Sequence, residues 1–244
     1  MPITIGSRVF APGLWPSLLT AALLVLLLSL GRWQLHRADE KRALYDAFAA
    51  GTGSAQRIDA SSGPVERYRM VEATGRYDPT AQILVDNMIA ADGHAGYYVI
   101  TPFTMSDGAS ILVNRGWIPL GASRAELPTI DVPTTERHLR ARVDQLPRPG
   151  IRMGQPQPLT PPFPIRAAFP SLSDIQASVS NRTWSRSAEV LLLDPREPDG
   201  YRREWAAPGF PPMRHIAYAV QWFGLALALS VIYFVSNLVS TPKS

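Results

Sequence analysis

The sequence predicts a membrane protein in which two transmembrane α-helices flank a mainly antiparallel, barrel-like β domain with short helices. Three observations carry this. Leu14 to Leu30 (LWPSLLTAALLVLLLSL) contains no charged residue and, counted from Pro12, approaches the ~20 residues a helix needs to cross the hydrocarbon layer. Ile216 to Val239 is a second apolar run, slightly longer. Between them, short segments rich in Val, Ile and Tyr recur at about 12-residue spacing, separated by turn-forming residues.

The elements follow in order. Residues 1–11 form the N-terminal segment and residues 12–30 the first span. A cleaved signal peptide is the weaker reading of that span, because the run exceeds a signal's apolar core and leads into Gly31-Arg32-Trp33-Gln34 without a small-residue cleavage pattern. GRWQLHRADEKRALYDAF continues as helix to about Phe48, and Gly51-Thr52-Gly53 ends it, glycine taking the left-handed conformation that closes helices. From Tyr68 the pattern becomes strands: YRMVEATGRY, QILVDNM, GYYVITPF and SILVNRGWI, broken at Asp78-Pro79, Asp92-Gly93 and Asp107-Gly108. Their spacing suggests an antiparallel meander, to which 137–144 and 188–193 add two strands. The short loops favour a barrel or sandwich over a parallel sheet with crossover helices. Residues 146–164, LPRPGIRMGQPQPLTPPFP, are too rich in proline for helix or central strand. Ser171 or Ser173 then caps a short helix through about Val179. The β-rich domain spans 31–214, the second span 215–239, and 240–244 form the C-terminus.

Composition narrows the function. All 20 acidic residues lie between the spans, whereas Arg8 alone precedes the first and Lys243 alone follows the second, so the middle faces water. The pI near 9.6 reflects arginines scattered among carboxylates, with no basic stripe interleaved with aromatics, so nucleic acid is not a partner. Cysteine is absent, which is compatible with an oxidising compartment. A nucleophile elbow, a phosphate loop, a zincin helix and a cysteine metal site would each need residues that are missing. Asp78, Asp86 and Asp92 sit at strand ends and turns and give no acid/base pair. The chain is therefore expected not to be an enzyme.

Two stretches are distinctive. In ILVNRGWIP (111–119), Trp117 is expected to fill the barrel core, Gly116 to permit a bulge or a close backbone approach, and Arg115 to pair with a carboxylate; partner binding is the alternative. In RHIAYAVQWF (214–223), His215, Tyr218, Trp222 and Leu225 share a helical face with Arg214 and Gln221 beside it. An interfacial belt explains Arg214, Tyr218 and Trp222 without any ligand. Gln221 lies deeper, where polar groups pair with other helices. An imidazole at that border also suits axial ligation of haem iron. His94 and His138 read as a turn and a strand histidine.

With GRWQLHRADEK, GRYDPTAQILVDN, GYYVITPF, ILVNRGW and RHIAYAVQWF in this order between terminal spans, the chain resembles the Surf-one (surfeit locus protein one) family of cytochrome c oxidase assembly factors. The resemblance covers the chain end to end, with little to match in residues 121–200. Its signatures fall on Gly31, Trp33, Gln34, Arg37 and Lys41; on Asn114, Arg115, Gly116 and Trp117; and on His215, Tyr218, Ala219, Gln221 and Trp222. It implies a factor that binds haem a transiently, His215 standing where bacterial relatives are described as ligating it, and assists insertion into oxidase subunit I. Subunit I, the machinery that delivers haem a, and the bilayer are the implied partners. The rival is a scaffold that binds no haem and holds an oxidase subunit during assembly, His215 being only interfacial.

For such a site Arg32, Arg37 and Arg214 are the expected propionate partners, with Tyr218, Gln221 and Trp222 alongside His215. Geometry suggests His36 as a second ligand: a continuing helix places it about 9 Å above Leu30, on the membrane face where His215 lies. The resemblance also implies a bacterial inner-membrane protein, multi-pass, with its central domain periplasmic and residues 1–11 cytoplasmic. Arg32, Arg37, Lys41 and Arg42 beside the first span weakly favour the opposite orientation, but a long middle domain is exempt from the positive-inside rule. A reporter active only in the periplasm should work when fused after Ser110; activity from a fusion at Ser244 instead would overturn this topology.

Overall fold

The structure, a computed structural model, describes residues 3–5, 8–51, 53–121, 126–149, 159–179 and 181–240. In chain order the elements are β1 (Ile3–Ile5), β2 (Arg8–Phe10), α1 (Leu14–Ala50), β3 (Gln56–Arg57), β4 (Met70–Tyr77), β5 (Ile83–Ile89), β6 (Ala95–Met105) and β7 (Ala109–Pro119). Then come β8 (Arg137–Asp144), β9 (Ile165–Ala167), α2 (Leu172–Ser178), β10 (Thr183–Trp184), β11 (Val190–Leu193), α3 (Pro212–Ser236) and β12 (Leu238–Ser240). They form two compact units, Met1–Asp46 with Ala207–Ser244, and Ala47–Ala206.

The first unit contains both apolar helices. α1 and α3 are each long and apolar enough to cross a membrane. Less exposed positions on α1 recur as Ser17, Thr20, Leu24, Leu27, Gly31, Gln34 and Ala38, and on α3 as His215, Ala219, Trp222, Ala226, Leu229 and Tyr233. Steps alternating between three and four residues are the heptad seam of helices packed at a shallow left-handed angle. Contacts fix an antiparallel register. The hydroxyls of Ser17 and Tyr233 lie 2.6 Å apart, and Gln34 meets His215. At Gly31 an added Cβ would stand 2.6 Å from the Phe223 ring, so only glycine lets that ring lie against the backbone of α1. Beyond the helices, β1, β2 and β12 join as an antiparallel sheet that ties the two ends of the chain together, a feature the sequence did not signal. Phe10 stacks on Phe234 beside it.

The second unit is a closed barrel. β4, β8, β11, β7 and β6 pair in that order, and the β6–β7 pairing with the β4–β6 pairing completes the ring. Alternate residues point inward: Leu139, Ala141 and Val143 of β8 meet Val71, Ala73 and Tyr77 of β4, with Phe103 and Ile111 between them. The Tyr77 and Phe103 rings meet edge to face at 5.1 Å. β7 is buried on both faces, because its other side carries Leu112 and Trp117 into a second core with β5, β9 and α2. A strand covered on both sides reads as a continuous apolar run, as ASILV does.

The pairing differs from a simple meander. β5 does not pair with β4; both use β6, whose eleven residues are shared between β5 at residues 95–100 and β4 at 103–105. Several pairings are parallel, including β7 with β11 and β5 with β9. Other expectations hold. Ser171 caps α2 reciprocally with Asp174, and the Asp92-Gly93 and Asp107-Gly108 turns form with their glycines at positive φ. Of the proline-rich 146–164, residues 150–158 lie outside the described residues. Gly51 ends α1 for another reason than expected: it is not left-handed, but an added Cβ would stand 1.9 Å from the Tyr68 carbonyl oxygen.

The chain lacks cysteine, so two introduced thiols report without background. A short bis-maleimide should join Ser17→Cys to Tyr233→Cys. Adding Gly31→Leu overpacks the seam at a cost of about 1–3 kcal/mol and should cut that cross-linking about tenfold or more; unchanged cross-linking would refute the register. In the barrel, Gly116 holds φ at +117° with the Arg202 carbonyl oxygen 2.8 Å from where a Cβ would stand. Gly116→Ala should cost about 1–3 kcal/mol, read as a lower unfolding temperature of the full chain.

Candidate functional site

The NRGW stretch of β7 is an anchor. Arg115, only 3% exposed, does not pair with a carboxylate among the described residues, contrary to expectation. Its Nε donates to the Asp199 carbonyl oxygen and its Nη1 to that of Asp131, both at 2.8 Å. The guanidinium also lies over the Tyr77 ring at 5.0 Å and the Tyr201 ring at 5.2 Å. Trp117 lies outside the barrel wall, in the second core, where its Nε1 donates to the Met88 carbonyl oxygen at 2.9 Å. Tyr201 N donates to the Arg115 carbonyl, and Trp117 and Arg202 form a bridge. Asp199–Arg202 is thereby laid along β7. Burial pushes the Tyr77 hydroxyl far up, outweighing Arg115, and among the described residues this hydroxyl finds no hydrogen-bond partner. It stays protonated and serves the barrel as a neutral ring.

The residues singled out around His215 lie in the other unit, on and beside the seam between α1 and α3. A helix rises about 1.5 Å per residue, so Leu14 to Gln34 spans about 30 Å, the depth of the hydrocarbon layer. Gln34 therefore stands at its far edge, and His215, in the first turn of α3, meets it there: the His215 Nδ1 lies 2.9 Å from the Gln34 Oε1. An amide oxygen only accepts, so Nδ1 carries the ring proton and Nε2 keeps its lone pair. That is the tautomer that a metal-binding imidazole needs. The turn before α3 is held by α1: Tyr45 donates its hydroxyl to the Gly209 carbonyl oxygen at 3.3 Å, and Lys41 Nζ lies beside Gly209.

The other expected residues divide into three groups. Trp222 lies on the seam with His215, and Arg37 on its flank, where it pairs with Glu40. Arg214, Tyr218 and Gln221 share an exposed stripe of α3 beside the seam, Arg214 with its guanidinium 4.0 Å from the Phe210 ring centroid. Arg32 and His36 are one turn apart on the side of α1 away from Gln34. The His36 side chain is 74% exposed and its Nε2 lies 3.4 Å from Glu40. Two residues along a helix are about 200° apart, so the structure does not bring His36 to His215. Gln34 is the residue that reasoning from spacing passed over as a contact; the family signature marked its position, but spacing offered only an amide next to the end of an apolar run.

Among the described residues no group of three or more His, Asp or Glu side chains could hold a bare metal ion. A single braced imidazole suits instead a metal that brings most of its own ligands, as porphyrin iron does.

Comparison with known proteins agrees with this architecture. The SURF1 family matches residues 21–227. A SURF1-like protein of Rickettsia felis is 26% identical over 226 residues, 88% of this chain and 94% of that protein. Surfeit locus protein 1 of Homo sapiens is 25% identical over 242 residues, 87% of this chain and 74% of that protein. The Takifugu rubripes protein of the same name is 25% identical over 234 residues, covering 84% and 90%. With the family matching almost the whole span from inside α1 to inside α3, this chain belongs to the SURF1 family, known generally as cytochrome oxidase assembly factors.

Proposed function

We propose that this protein is a non-enzymatic assembly factor that holds haem a through His215 and assists its insertion into cytochrome c oxidase subunit I. The observation that carries the reading is the His215 imidazole at the membrane border, braced at Nδ1 and open at Nε2. Haem a is cargo: its farnesyl tail suits the lipid-facing sides of α1 and α3, and its propionates suit cations at the edge. Arg214, with no carboxylate partner among the described residues, and Arg37, beside the seam, are the guanidinium donors placed on the His215 side. Arg32 points elsewhere. Tyr218, Gln221 and Trp222 line the approach along α3. In this reading the barrel is periplasmic in a bacterial inner membrane, both ends of the chain are cytoplasmic, and the partners are subunit I and the machinery that delivers haem a. One protein ligand also suits a carrier, because a second would slow release.

Visible spectra of the protein purified from cells making haem a test this. His215→Ala should stay in the membrane at normal level, since truncating a border imidazole opens no packed core, yet lose most of its haem. Haem retained in full would leave the scaffold reading. His36→Ala should leave the spectrum unchanged; conversion from low to high spin would restore His36 as a second ligand.

A further inference from the structure

We infer that Gln34 is a positioning residue for His215: its side-chain oxygen holds the imidazole as the Nδ1–H tautomer and presents Nε2 as the ligand atom. The inference rests on the haem reading for its purpose, but not for its geometry.

Three features support it. First, the bond is interhelical and 181 residues long in sequence, so it is no local accident of helix spacing. Gln34 occupies a seam position of α1 three residues beyond Gly31, whose missing Cβ admits the Phe223 ring, and His215 occupies the seam of α3. The amide therefore approaches the ring only where the two helices are closely packed. Second, among the described residues the side chains of Gln34 and His215 make no other hydrogen bond, so Gln34 accepts from His215 alone and Nε2 is left without a donor. Third, the partner is an amide and not a carboxylate. Carboxylates brace many metal-bound histidines, and they make the imidazole a stronger ligand, but they also favour imidazolium, whose nitrogens are both protonated. A neutral acceptor at the edge of a low-dielectric layer fixes the tautomer without raising the affinity of the ring for a proton. It gives a ligand that is ready but of moderate strength.

No carboxylate is in contact with His215 among the described residues.

The experiment uses the full chain in detergent, labelled with nitrogen-15 at histidine and free of haem, with His215→Ala assigning the signal. Wild-type His215 should show a protonated Nδ1 and a bare Nε2, and Gln34→Leu a mixture of tautomers. Haemin, titrated as the probe, should bind Gln34→Leu about 10- to 100-fold more weakly, the usual cost of losing such a brace. Bis-maleimide cross-linking of Ser17→Cys to Tyr233→Cys should persist in Gln34→Leu, showing that the helices still pair. Should that variant fail to fold, Gln34→Glu keeps the size and the acceptor: its carboxylate also takes the Nδ1 proton, so haemin should bind it at least as tightly as wild type. A protonated Nε2 in the wild type, equal haemin affinity in Gln34→Leu, or haemin binding by Gln34→Glu about tenfold or more weaker than by wild type would each overturn the inference. Equal haemin binding by wild type and His215→Ala, with the Nδ1–H tautomer present, would instead defeat the haem reading and leave the positioning by Gln34 intact.

Discussion

Helices in a bilayer gain nothing by hiding apolar surface from lipid, since lipid tails are as apolar as leucine; close packing and hydrogen bonds must hold them together. That constraint organises the first unit. Gly31, Ala38, Ala219 and Ala226 are its most buried helical positions, all small enough for backbones to approach. Ser17 with Tyr233 and Gln34 with His215 supply the polar contacts, one at each end of the seam. The contact between Gln34 and His215 is thus one of the two that set the register, and it forms only when the spans are paired.

Water imposes the opposite rule on the second unit, where burying apolar area is the driving force. Closing β4, β8, β11, β7 and β6 into a ring leaves no free edge among the barrel strands. The remaining edge pieces, β3, β9 and β10, are two or three residues long. β7 belongs to two cores at once, so its neighbours are constrained on both faces. The NRGW stretch within it uses a positive-φ glycine to bring Arg202 against the strand.

Much of this was legible in the sequence because it is local. Apolar length gives α1 and α3, period-two alternation gives β8, and Ser171 with Asp174 gives α2. What was not legible depends on residues far apart. The sharing of β6 between β4 and β5 follows from barrel closure, not from either strand's pattern. β1, β2 and β12 are three residues each and pair across almost the whole chain. His36 looked as close to the membrane as His215 because helical rise is readable from sequence, whereas the side it faces depends on where α3 packs. Gln34 was hidden for the same reason: the seam that makes it a partner is defined only once both helices are in register.

Arg115 shows how a buried charge is tolerated without an ion pair. Removing a guanidinium from water costs several kcal/mol unless its donors and its charge are both met. Here two backbone carbonyls take two donors, and the faces of Tyr77 and Tyr201 offer the negative side of their rings. Asp199 contributes its carbonyl to Arg115 while its carboxylate holds Arg137 at 2.6 Å, so one residue joins two arginines. A lysine could not substitute, because a compact ammonium has no plane to lie between two rings and no fork to reach carbonyls 68 residues apart in sequence, at Asp131 and Asp199. The expected carboxylate partner is therefore unnecessary: backbone carbonyls present their oxygens, and the faces of two tyrosine rings meet the charge.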